Sequence, residues 1–111
     1  MTARDPDARR YVREATAATP QAATVRVLAS LLFTALRPDS AYRLPVPTLI
    51  VHGQYDRVGD IAAGARRWIR RDPRAELAVV PAAAHLSNLD APRAFTAAVS
   101  EFLERMLPAP A

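Results

Sequence analysis

The sequence predicts an α/β fold built around two parallel strands, and three observations carry that prediction. Residues 48–106 alternate between short β-branched runs and longer amphipathic stretches, in the order strand, helix, strand, helix. Glycine and proline punctuate the boundaries between them. Upstream, apolar residues recur at helical spacing. With 111 residues, half of them hydrophobic and 23% charged, the chain has the composition of one soluble globular domain. It has no cysteine, which excludes disulfides, thiolate metal sites and a cysteine nucleophile together.

Asp5-Pro6 and Thr19-Pro20 each place a capping side chain before a proline whose φ already suits the first helical turn, so a helix is expected after each. The first runs to about Ala18. The second carries Val25, Leu28, Leu32 and Leu36 on one stripe, widened by Leu31 and Ala35, until Pro38 stops it. Together they make an expected helical hairpin over residues 1–43. A polar, proline-marked connector, residues 37–46, leads from the hairpin into a second unit, residues 44–111.

That unit opens with Thr48-Leu49-Ile50-Val51-His52, short and nearly all apolar, the pattern of a strand buried on both faces. Gly53 ends it. The helix after it has Asp60 as its cap, Ile61, Ala65, Trp68 and Ile69 on one side, and Arg66, Arg67, Arg70 and Arg71 on the other. Asp72-Pro73 terminates it. Residues 76–80 form the second strand, and from Asp90-Ala91-Pro92 a last helix aligns Phe95, Val99, Phe102, Leu103 and Met106. Trp68 and Phe102 read as core anchors, and His52, inside a strand, as a packed histidine.

Two strands joined through a helix are expected to run parallel, with a right-handed crossover. The loops that follow them then leave from one edge of the sheet, and neighbouring strands lie only about 4.8 Å apart. Asp56 and His85 stand on those two loops. They are 29 positions apart in sequence, yet this topology brings them within reach of each other at the edge where open α/β sheets place their active sites.

Residues 46–58, Val-Pro-Thr-Leu-Ile-Val-His-Gly-Gln-Tyr-Asp-Arg-Val, resemble the acid-bearing strand and loop of the α/β-hydrolases. Residues 81–92, Pro-Ala-Ala-Ala-His-Leu-Ser-Asn-Leu-Asp-Ala-Pro, followed by Phe95 and Val99, resemble that family's histidine loop and final helix, especially in enol-lactonase-like and esterase-like members. Both motifs stand in the family's order and at its spacing. The resemblance covers residues 44–107, and the hairpin before them is similar to the end of the substrate-sheltering cap. It implies a C-terminal portion of such a fold, with His85 as the base and Asp56 as the acid that orients it. Ala84 stands where glycine usually precedes the histidine, and Gly59-Asp60 replaces a proline often found after the acid loop.

The third member of that triad is a serine on a Gly-x-Ser-x-Gly turn, ahead of the acid in the chain. None is present. Ser30, Ser40, Ser87 and Ser100 are not flanked by glycine and follow no strand. The resemblance therefore implies the acid and base of a serine-type hydrolase for carboxylic esters or lactones, with the nucleophile and oxyanion hole outside this sequence and the isolated chain inactive. The alternative is a truncated, non-catalytic module that works by association.

Taken singly, Asp56 reads as a turn residue and His85 as a surface or capping residue; their paired motifs favour the catalytic roles. All 15 basic residues are arginine and the net charge is +4, yet no recognition motif accompanies the charge, so no nucleic-acid partner is expected. No cofactor and no metal are expected, since two histidines with scattered carboxylates do not make a ligand set. The longest apolar stretch, residues 25–36, contains Arg26 and is shorter than the roughly 20 residues a membrane span needs. The expected location is cytoplasmic, and the expected partners are an ester or lactone if the chain is complemented, and a second copy meeting an exposed strand edge.

Overall fold

A computed structural model describes residues 2–109. Its elements are α1 (Pro6–Ala18), α2 (Gln21–Ala35), β1 (Thr48–Gly53), α3 (Ile61–Arg71), β2 (Ala75–Val80), α4 (Ser87–Asp90) and α5 (Pro92–Met106). β1 and β2 pair in parallel, with Thr48 opposite Ala75 and Gly53 opposite Val80. α3 makes the crossover between them, and both α3 and α5 pack on the two strands. The strand-helix-strand-helix order expected from the sequence is present, with the short α4 as an unforeseen turn before α5.

Helix α1 begins as its sequence dictates. Asp5 sits in extended backbone and accepts hydrogen bonds from the Asp7 and Ala8 amides, each at 2.9 Å. The expected Thr19 cap does not form: Pro20 occupies the cap position of α2, and the Thr19 hydroxyl donates backward to the Ala15 carbonyl at 2.8 Å. Asp60 does hold the cap position of α3, but its carboxylate pairs with Arg67 at 2.6 Å rather than with a backbone amide.

The core is small. Its buried apolar residues are Ala3, Ala8, Ala65, Ala75, Val80, Ala83, Ala84 and Phe102, so alanine dominates it. Phe102 is the anchor its position on α5 suggested, whereas Trp68 is 37% exposed and lies under the Arg71 guanidinium, 5.5 Å from it. β1 is half-buried through Val51 rather than covered on both faces: α3 and α5 pack on the two strands only in part, and no further strand lies beside β1 among the described residues.

The expected hairpin is open. No residue of α2 is buried, and its large apolar side chains project into solvent. The accessible surface is 8442 Å², against about 6,000 Å² for a compact chain of this size. The radius of gyration, 16.1 Å, exceeds the compact expectation of about 13 Å. Among the described residues, no helix is long and apolar enough to cross a membrane.

Candidate active site

Two loops leave the same edge of the sheet, one after Gly53 and one after Val80, and backbone bonds lace them together. The Gln54 amide donates to the Val80 carbonyl at 2.9 Å and the Tyr55 amide to the Ala83 carbonyl at 2.8 Å. In return, the Ala82 amide donates to the Gln54 side-chain oxygen at 3.0 Å. Gly53 lies directly against the second loop, where a Cβ would strike the carbonyl oxygens of Ala83 and Ala84. Only glycine allows this approach. Ala82 turns the chain with a φ of 57°, in the left-handed region.

This lacing brings together the two residues singled out from the sequence. The Asp56 Oδ2 and His85 Nδ1 atoms are 3.0 Å apart. Asp56 is held from behind, as the Val58 amide donates to its Oδ1 at 2.9 Å and its own amide donates to the Gly53 carbonyl at 3.0 Å. Its side chain is 2% exposed, while that of His85 is 34% exposed. The tautomer with hydrogen on Nδ1 donates to Asp56 and leaves Nε2 as an acceptor toward the open side. A ring held this way can take a proton at Nε2 while the carboxylate stabilises the resulting imidazolium.

Asp90 fixes the histidine loop from below, a role the sequence did not disclose. It was expected to open the last helix; instead it closes α4, and its carboxylate gathers three amides. Oδ2 accepts from Ala84 at 2.8 Å, and Oδ1 from Arg4 at 2.7 Å and Asp5 at 2.9 Å. Desolvation pushes the Asp90 carboxyl up, but these three bonds and the charge of Arg4 outweigh it and hold it below the ordinary value of 3.8. The Leu86 amide adds a bond to the Thr2 carbonyl at 3.0 Å. The N-terminal segment is thereby strapped to the residues on either side of His85.

His52 is packed, as its strand position suggested, at 4% exposure. Its Nδ1 lies 2.9 Å from the Gly53 carbonyl, and its Nε2 is buried without a partner among the described residues. It takes no part in the pair. The four serines lie elsewhere: Ser30 in α2, Ser40 in the connector, Ser87 buried at the start of α4 and Ser100 exposed on α5. None follows a strand. Among the described residues, no group of three or more acidic or histidine side chains is arranged to hold a metal ion.

In comparisons with known proteins, the chain matches no family model, no curated protein and no solved structure.

Proposed function

We propose that this chain is the C-terminal part of a serine-type α/β-hydrolase acting on carboxylic esters or lactones, with His85 as its general base and Asp56 as the acid that orients it. The observation that supports this reading is the 3.0 Å contact between His85 Nδ1 and the enclosed Asp56 carboxylate, at the edge of the sheet where both strands end. The residues around that pair also carry the two motifs similar to the family's acid and histidine loops. In this reading the serine and the oxyanion donors come from outside these 111 residues, so the chain alone does not turn over substrate.

The test is complementation. An esterase of this fold, truncated before its acid-bearing strand, is co-expressed with the full chain and assayed on a short p-nitrophenyl ester and with a fluorophosphonate serine probe. Restored turnover that disappears with His85→Ala and falls strongly with Asp56→Asn is the expected result. Fluorophosphonate labelling of the isolated chain, abolished by His85→Ala, would refute the absence of an internal nucleophile.

A second reading, a non-catalytic module that acts by association, draws on a separate observation: the apolar face of α2 and the outer edge of β1 are both uncovered. An assembly in which Asp56→Asn and His85→Ala change nothing measurable would favour it.

A further inference from the structure

Beside the Asp56–His85 pair lies a pocket of about 310 Å³ walled by Arg4, Tyr55, Arg57 and Ala84. Its size is at the lower end of the range for small-molecule sites. Three of these residues flank the pair in sequence, and the fourth, Arg4, arrives from the N-terminal strap. The Arg4 guanidinium stacks over the Tyr55 ring, 4.3 Å from its centre, which restrains the side chain while leaving its N–H edges free to donate.

The carboxylates nearby are already committed. Asp56 has its oxygens on the Val58 amide and His85, and Asp90 has its oxygens on the amides of Arg4, Asp5 and Ala84. Among the described residues neither Arg4 nor Arg57 forms an ion pair. The pocket therefore presents two arginines without an ion-pair partner, the Arg4 charge being felt by Asp90 only over a longer distance, an arrangement matched to a carboxylate or a phosphate.

We infer that this pocket binds a small organic anion, its oxyanion group held between Arg4 and Arg57. The site goes beyond the hydrolase reading and stands without it, because binding here requires no nucleophile and no turnover.

The experiment follows backbone amide resonances of the full chain during titration with succinate, inorganic phosphate and, as the uncharged control, dimethyl succinate, at constant ionic strength. Saturable shifts at Tyr55, Arg57 and Ala84 with at least one anion, and none with the diester, are expected. The two anion arms distinguish a carboxylate from a phosphate ligand. Arg57→Ala and Arg4→Ala should each weaken binding about tenfold or more. Arg57→Lys should recover part of that loss, and Arg10→Ala, whose parent residue is paired with Asp7 on α1, should leave the affinity unchanged. Among the described residues Arg57 makes no side-chain hydrogen bond or ion pair, so its variant tests the site even where Arg4→Ala disturbs the strap. Failure of both anions to saturate, or equal affinity in Arg57→Ala, would overturn the inference. Ester turnover is not read in this experiment, so its outcome and that of the hydrolase reading are independent.

Discussion

Gly53 and Ala84 lie in backbone contact: the space a side chain would occupy at position 53 is filled by the carbonyl oxygens of Ala84 and Ala83. These are main-chain atoms, and the Ala83 carbonyl also accepts from the Tyr55 amide, so no rotamer change makes room. Gly53→Ala must push apart the two loops that carry Asp56 and His85. The expected cost is about 2–4 kcal/mol, read from urea unfolding, with a displaced His85 ring resonance in the same sample. A variant as stable as its parent would mean that the loops do not meet as described.

The site's two principal residues were legible in the sequence because their placement follows from topology. A β-branched run, a helix and a second run put residues 56 and 85 at one sheet edge whatever the details of packing. The clamps were not legible for the opposite reason. Asp90 reaches the Arg4 amide across 86 positions, and Asp72 reaches the Leu44 amide across 28, and no local pattern announces either bond. Periodicity also misled for Trp68 and α2. It reports which face of a helix is apolar, and says nothing of whether another element is there to cover it.

Ala82 holds a φ of 57° in the turn between β2 and His85. A Cβ in that region costs roughly 1–2 kcal/mol, and glycine removes the cost while adding flexibility to the unfolded chain. Ala82→Gly should therefore stabilise the protein by up to about 1 kcal/mol, whereas Ala82→Val should destabilise it by at least as much. Thermal unfolding of the three chains side by side orders them as Gly, Ala, Val if the turn is as described. A Gly variant less stable than the parent would contradict it.

Two carboxylates are expected to make the fold acid-sensitive. Asp72 is 2% exposed, and the Leu44 amide at 2.6 Å and the Arg74 amide at 3.0 Å hold its carboxyl below 3.8, helped by the charges of Arg43 and Arg74 and opposed by desolvation. Asp90 is lowered too, by its three amides. A carboxyl with a folded value below its unfolded one contributes stability that is complete above the unfolded value and is lost as pH falls through the folded one. The urea midpoint should thus stay level from neutral pH down to about 5 and drop below about 4. Asp72→Asn should start from a lower midpoint and show a shallower acid decline; an unchanged decline in both Asp72→Asn and Asp90→Asn would rule these groups out as its source.

Helix α2 is expected to govern how the chain behaves in concentrated solution. Val25, Val27, Leu28, Leu31, Leu32, Phe33 and Leu36 are each 57–70% exposed. They spread around much of the helix, and Val25, Leu28, Leu32 and Leu36 among them form one continuous exposed apolar stripe. A second copy presents the same stripe and is therefore a complementary cover for it. Antiparallel pairing of two α2 helices also keeps the two Arg26 side chains apart, and Arg26 is the helix's one charged residue. The chain should associate reversibly with rising concentration in sedimentation equilibrium. Leu28→Glu combined with Leu32→Glu should return it to a monomer, and because α2 buries none of its residues, the folding stability of that monomer should stay within about 0.5 kcal/mol. A parent chain that remains monomeric at every concentration, or a double variant that unfolds, would show that α2 packs against its own chain after all.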